Sequence, residues 1–305
     1  MRPLALSERG LETPTVSLGD LLIGKQPTLR GTTEVALRDY TLEICESGLP
    51  GIRGLPPRAR RAQLDGYLER IIDRDFPDAG RTVRNPAALR RWMAAYAAAT
   101  ATTCSYDRIR DAATPGDVDK PARTTTRVYR DVLERIWVVD DVPAWAPSRN
   151  PLARLVEGSI HHLADPALVV RLLGMDVDAL LNTQADGVTR DEKLRDGAML
   201  GRLFESLTAL SLRVYAQHSE ASVSHLRTRA GEHEVDFIVE RPDHRIVAVE
   251  VKLAHEVEDR DVKHLVWLRE KIGDDLLDAI VISTGSEAYR RPDGIGVVPA
   301  ALLGP

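Results

Sequence analysis

Apolar residues recur at three- and four-residue steps along the first two thirds of the chain, and alternate in twos or run unbroken in the last third. The first pattern predicts helices and the second predicts strands. Residues 32–47 place Leu37, Tyr40, Thr41 and Ile44 on one helical face, and Ser47-Gly48-Leu49-Pro50-Gly51 ends the run. Pro56-Pro57 precedes a helix over 58–75 with a stripe of Leu64, Tyr67, Leu68, Ile71 and Ile72. Residues 86–100 form a third helix, with Pro86 in the first turn, where a missing N–H costs nothing. A short helix over 105–113 follows, then a break at Pro115-Gly116-Asp117, a helix over 123–136 and an extended pair around 137–146. Residues 158–182 read as turn, helix and stop. Residues 190–218 read as one long helix carrying Leu200, Leu203, Phe204, Leu207, Leu210, Leu212 and Val214, with Glu205 set among them. Residues 1–30, punctuated by Thr13-Pro14, Gly19 and Gln26-Pro27, show no clear period.

In the last third, His225–Arg229 reads as a short strand. Glu234–Glu240 and Arg245–Leu253 are β-branched runs joined by Arg241-Pro242-Asp243-His244, an antiparallel hairpin. Residues 259–273 form an amphipathic helix ended by Gly273, and Asp278–Ser283 and Gly294–Val298 are further strands. The order α-β-β-β-α-β-β predicts a central sheet with helices packed on it. The expected fold class is mixed α+β and α/β: a helical, winged-helix-like N-terminal part before an αβββαβ domain. The expected divisions are an edge segment over 1–50, a helical domain over 51–150, a connecting helical segment over 151–195 and the sheet domain over 196–305.

Composition narrows the class. With 43% apolar and 29% charged residues, the 305-residue chain can bury a core and is not intrinsically disordered. No stretch approaches 18 uncharged apolar residues, and the first ten residues lack an apolar leader, so a cytoplasmic protein without membrane contact is expected. Cys45 and Cys104 are too far apart for a Cys-x-x-Cys site and read as reduced thiols. Charge is uneven: residues 51–135 carry 17 Lys/Arg against 11 Asp/Glu, whereas residues 196–305 carry 13 against 19. The basic stretch is almost all arginine, which suits phosphate contacts and equally suits a genome that encodes arginine often. Three helices and a hairpin match a winged helix-turn-helix, with Arg123, Thr125, Arg127 and Arg130 on the nucleic-acid-binding helix. The alternative is a helical bundle used as a protein interface.

Asp236, Glu250 and Lys252 sit where strands are normally apolar. Glu250 and Lys252, two apart, share a strand face, and the hairpin can bring Asp236 opposite. Carboxylates that converge repel unless a cation joins them, and a hard divalent ion suits oxygen ligands, so Mg²⁺ or Mn²⁺ is the expected cofactor. A neighbouring ammonium can orient water or balance phosphate charge, a recipe for phosphodiester hydrolysis. The alternative is a salt bridge on a solvated sheet surface.

Asp236 and, fourteen positions on, Glu250-Val251-Lys252 resemble the PD-(D/E)xK motif of restriction-endonuclease-like nucleases. The resemblance implies Asp236, Glu250 and Lys252 as catalytic residues, Asp236 and Glu250 as metal ligands, Glu205 as an assisting metal ligand, and the Val251 carbonyl as a further donor. Val235 stands where that motif carries proline. The runs SGLPGIRG, LADPALVVRLLG, GRLFESLTALSLRVYA, EHEVDFIVE and VAVEVK are similar to the C-terminal part of a prokaryotic AAA-type ATPase family. Its members join a P-loop ATPase to a winged-helix segment and a nuclease-like domain of unknown function. No Gly-x-x-x-x-Gly-Lys-Ser/Thr occurs in these 305 residues, so no ATPase activity is expected from them, and the chain reads as a truncated relative with an edge of the ATPase lid region over 1–50. Arg53 reads as a leftover nucleotide-sensing arginine. Two functions remain at this point. One is a metal-dependent nuclease or nuclease-like DNA-binding protein, monomeric or homodimeric. The other is a non-catalytic module docking a protein partner, an ATPase subunit or a toxin–antitoxin component.

Overall fold

The structure, a computed structural model, describes residues 2–114, 120–145, 158–181, 190–228 and 232–305, with the side chains of 190–198 left out. The break expected at Pro115-Gly116-Asp117, residue 146 of the extended pair, residue 182 of the turn-helix-stop segment and Arg229 lie outside the described residues.

The protein is mixed α/β, with a helical N-terminal part and a C-terminal mixed sheet. The helical part comprises α2 (Leu37–Glu46), α3 (Pro57–Arg70), α4 (Pro86–Ala98), α5 (Tyr106–Ala112), α6 (Arg123–Arg135), α7 (Pro166–Leu172) and α8 (Val177–Leu181). α3 does not run on as a regular helix to residue 75: Ile71–Asp75 widens into a π turn before Phe76. Asn85 caps α4 by accepting from the Ala88 N–H at 2.9 Å, and Pro86 follows in the first turn. Trp92 and Tyr96 of α4 stack at 5.3 Å, and Tyr129 of α6 meets Trp92 edge-on at 6.0 Å, so aromatic packing joins these two helices.

Two of the runs that carry the family resemblance meet in this part. Ser47 and Gly48 donate to Asp165 Oδ2 at 2.5 and 2.9 Å, and Asp165 Oδ1 caps α7 by accepting from the Ala167 N–H. Asp165 is 1% exposed, so a buried carboxylate satisfied by three donors welds the end of α2 to the start of α7. Arg53 sends both ends of its guanidinium to Glu43, at 2.8 and 2.9 Å, and Glu43 also holds Arg9. The nucleotide-sensing role read for Arg53 therefore meets a side chain already committed to an internal carboxylate.

The expected hairpin over 137–146 does not form within that segment. Val139 bridges Leu163, Val142 bridges Ile160, and Ala144 bridges His225 of the sheet. The would-be turn, Asp140-Asp141, is anchored instead. Arg2 holds Asp140 at 2.9 Å, and Asp141 accepts from the hydroxyls of Tyr96 and Tyr106. With its turn residues tied into the interior, the segment becomes a strap between the two parts rather than a wing.

The long helix α9 (Arg190–His218) opens the sheet part. It is followed by β2 (Ser222–Arg227), β3 (Glu234–Glu240), β4 (Ile246–Val251), α10 (Asp259–Ile272), β5 (Leu276–Ser283), β6 (Tyr289–Arg290) and β7 (Gly296–Pro299). The six strands lie in the order β2-β3-β4-β5-β7-β6. Pairs β2–β3, β3–β4 and β6–β7 are antiparallel; β4–β5 and β5–β7 are parallel. Every β4 residue is buried, as a central strand covered on both faces requires. Phe237, Val239, Val247 and Val249 face the larger core, which includes Leu203, Phe204 and Leu207 of α9 and continues into the helical part. Ile238, Ile246 and Ala248 face a smaller core under Leu265 and Leu268 of α10.

Residues 2–33 are not a loose edge. β1 (Val16–Ser17) pairs in parallel with β8 (Leu303–Gly304), and the Leu6 N–H donates to Ser211 Oγ of α9 at 3.1 Å. α1 (Leu18–Ile23) rests on α9 and β5. A Cβ placed at Gly296 would stand 2.5 Å from the Leu29 side chain, so glycine is what lets this segment lie on β7.

Candidate functional site

β3 and β4 run antiparallel with Phe237 opposite Val249, and the ladder stops there. One step further, Asp236 no longer pairs through its backbone. Its side chain takes over, and Asp236 Oδ2 accepts from the Val251 N–H at 2.7 Å. On the other side of β3 the register slips. Ser224 faces Ile238 and Leu226 faces Val235, so Asp236 and Phe237 together oppose His225. Such a bulge bends the strand and re-aims a side chain. The end of the ladder and the bulge together set the Asp236 carboxyl beside the end of β4.

Glu250, on the last turn of pleat in β4, is 4% exposed. Its Oε1 accepts from Lys252 Nζ at 2.8 Å, while its Oε2 is buried with no hydrogen-bond partner. An orphaned buried carboxylate oxygen is costly and calls for a proton or a cation. The electrostatics agree. Burial first, then the Asp236 charge, push the Glu250 carboxyl up to about 8. Burial pushes Asp236 up to about 6 against the pull of Lys252 and the Val251 N–H. Glu205, from α9, is raised well above the ordinary carboxylate range by burial and then by Asp236, Glu234 and Glu250. Burial opposes the charge of Lys252, yet Glu250 and Asp236 outweigh it and raise the ammonium above its usual range.

The four residues singled out in the sequence are thus within electrostatic reach of one another. The donor set is all oxygen and suits a hard divalent cation, and Glu250 Oε2 is a ligand atom without an occupant for its lone pairs. Among the described residues no three His, Cys, Asp or Glu side chains converge closely enough to hold an ion as they stand. Lys252 and the Val251 N–H are what now satisfy Glu250 Oε1 and Asp236 Oδ2.

The arginines expected on the nucleic-acid-binding helix are placed differently. Arg123 is exposed but makes a bidentate pair with Asp107 at 2.9 and 2.8 Å. Arg127 is exposed with Asp131 3.9 Å away, and Arg130 lies over the Tyr106 ring at 4.6 Å with Glu134 at 3.3 Å. Thr125 is half-buried and, with Thr124, lines a cleft of about 620 Å³ shared with Arg81 and Arg84. Arg81 and Arg84 are exposed and have no acidic partner among the described residues. They are cations of this cleft that periodicity alone did not select.

Sequence reasoning also missed His233 and His264. Their Nδ1 atoms are 3.3 Å apart, and His233 stacks flat on Trp267 at 3.9 Å. The signal was present: His264 and Trp267 are three apart on α10 and share a helix face, and His233 is three residues before Asp236.

Residues 200–303 match a family model described as a domain of unknown function, DUF4143, which is found in AAA-ATPase-associated proteins. Residues 37–179 match a second, described as a domain of unknown function, DUF8612. No curated protein and no solved structure matches the chain. Among the described residues no helix is long and apolar enough to cross a membrane.

Proposed function

We propose that the sheet part is a restriction-endonuclease-like site for phosphodiester hydrolysis, and that the protein is a metal-dependent nuclease that holds DNA with its helical part. The observation that carries this reading is the buried, unpartnered Oε2 of Glu250 beside Asp236 and Lys252 at the frayed end of β3 and β4. When bound there, Mg²⁺ or Mn²⁺ supplies Lewis-acid stabilisation of phosphate charge and a more acidic water. Asp236 and Glu250 are the residues that would hold it, with Glu205 alongside. Lys252 keeps its proton at Nζ and balances negative charge near Glu250. Burial and the carboxyls of Asp236, Glu234 and Glu250 raise Glu205 well above the ordinary carboxylate range, so its negative charge is disfavoured there until a cation arrives.

The DNA backbone is received by the cleft between Arg84 and Thr125, where Arg81 and Arg84 are uncommitted, rather than by the paired Arg123, Arg127 and Arg130. In this reading the helical domain over 51–150 presents DNA to the sheet domain over 196–305. The test is cleavage of duplex DNA, single-stranded DNA and RNA with Mn²⁺ or Mg²⁺. Lys252→Ala and Asp236→Ala are each expected to lower the rate by about 10²-fold or more. Equal rates in wild type and both variants overturn the reading.

A second reading rests on the 2.8 Å contact of Lys252 with Glu250. Here the triad is a self-satisfied ion pair, and the module docks a protein partner. It predicts no thermal stabilisation by Mn²⁺, whereas an ion that binds only the folded state raises Tm by mass action.

A further inference from the structure

We infer that His233 and His264 form a second metal site, separate from the carboxylates, that takes a borderline divalent transition metal such as Zn²⁺, Co²⁺ or Ni²⁺ through two neutral imidazoles. The two Nδ1 atoms face each other at 3.3 Å. Two ligands of a tetrahedral ion with bonds of about 2.0–2.1 Å stand about 3.3 Å apart, so the rings already have the separation of a chelating pair. The rings are held there. His233 is stacked on Trp267 with an interplanar angle of 9°, and His264 meets His233 edge-on at 5.5 Å from the rigid α10. Fixing the rings beforehand removes much of the ordering cost of binding.

Both imidazoles are half-buried, so an ion and the waters that complete its shell can enter from solvent. The charged groups acting on His264 are Lys263 and Lys252, which oppose a cation, and Glu234, which favours one. Lys252 is itself held by Glu250, and Glu234 is adjacent to His233 in sequence. Without a metal, one ring must donate and the other accept across the 3.3 Å gap, a single weak hydrogen bond for an arrangement fixed from two elements. Imidazole nitrogen selects against Mg²⁺, which prefers oxygen, so the two sites sort metals by ligand chemistry.

Because His233 lies on the Trp267 ring, the tryptophan reports the site. The experiment titrates Co²⁺ and Ni²⁺ into the metal-free full chain and follows tryptophan fluorescence, with calorimetry in parallel. The expected result is saturable quenching that millimolar Mg²⁺, which would occupy the carboxylates, does not displace. His264→Gln and His233→Ala are each expected to weaken binding by about tenfold or more. Trp267→Phe is expected to lose the quench while keeping the calorimetric binding. Circular dichroism of each variant verifies folding. The inference is overturned if His264→Gln, folded, binds as tightly as wild type. It is overturned equally if Glu250→Gln, folded, abolishes the tryptophan quench, if Mg²⁺ competes for the quench, or if no saturation occurs. None of these readouts depends on nuclease activity, so failure of the nuclease reading and failure of this site are distinguishable.

Discussion

In the helical part, arginine after arginine reaches a carboxylate at the surface: Arg123 on Asp107, Arg127 on Asp131, Arg130 on Glu134, Arg171 on Asp65. In the sheet part, the acids that matter are inside. Glu250 is 4% exposed with one oxygen unpartnered, and Asp236 and Glu205 press on it from β3 and α9. The helical part carries the basic stretch of the chain and the sheet part is acidic. Counted as net charge, the helical part is the more promising site. Atom by atom, many of its cations are paired, while the sheet part buries carboxyl groups whose ionisation its own residues do not fully support. Solvated ion pairs add little to stability, whereas buried charge in excess is costly, and such cost concentrates where a ligand relieves it.

That contrast can be broken most severely at a buried pair that is fully satisfied. Asp278, 2% exposed, takes both ends of Arg290 at 2.8 and 2.6 Å, and Arg290 also donates to the Pro27 carbonyl. Asp278→Ala strands the guanidinium and is expected to cost about 3–5 kcal/mol in denaturant unfolding. A cost below about 1 kcal/mol would mean that buried charge in this sheet is better solvated than the geometry implies.

The carboxylate site behaves in the opposite sense. The folded-state values of Glu250 and Asp236, about 8 and about 6, lie above their ordinary ones, so the folded protein binds more protons than the unfolded chain. Stability from these groups is present below about pH 4 and is lost as pH rises through about 8. Thermal melts of the metal-free protein should therefore show Tm falling from about pH 5 to 8.5, and Glu250→Gln should flatten that fall. A Tm that climbs over this range in the wild type contradicts the assignment.

In the helical part, replacing both Arg81 and Arg84 by alanine should weaken DNA binding. It should also lower the slope of log K against log salt by about 2, one for each lost phosphate contact. An unchanged slope removes the cleft from the DNA-binding account. The smallest effect is expected at Arg127, whose partner is 3.9 Å away in solvent. Arg127→Ala should shift stability by less than about 0.5 kcal/mol and DNA affinity by less than Arg81→Ala does.

Much of the fold was legible because its elements announce themselves locally. The strand runs Glu234–Glu240 and Ile246–Val251 are β-branched and joined by a turn, and α10 ends at Gly273, whose φ of 56° suits glycine. Asp236, Glu250 and Lys252 stood out as charges in apolar strands, and Glu205 as an acid in an apolar helix. What could not be read were pairings between distant segments. The segment around 137–146 reads as a hairpin in sequence, but in the structure Asp141 is bound to Tyr96 and Tyr106 and the described residues form a strap. The N-terminal segment has no period because β1 and β8 are two residues each and owe their shape to one another. His233 and His264 are 31 residues apart and meet only when α10 folds over the sheet. Asp278 opens an apolar run as a charged residue whose partner, Arg290, follows on a two-residue edge strand.

The proposal that Glu250 and Asp236 hold a divalent cation stands or falls on one titration. Calorimetric titration of Mn²⁺ into the full chain at pH 7, in buffers of different ionisation enthalpy, tests it most directly, with Glu250→Ala in parallel. Saturable binding is expected in the wild type and lost in the variant, with an enthalpy that changes with buffer because Glu250, raised to about 8, must release its proton. Identical titrations of wild type and Glu250→Ala, or binding without proton release, would contradict it.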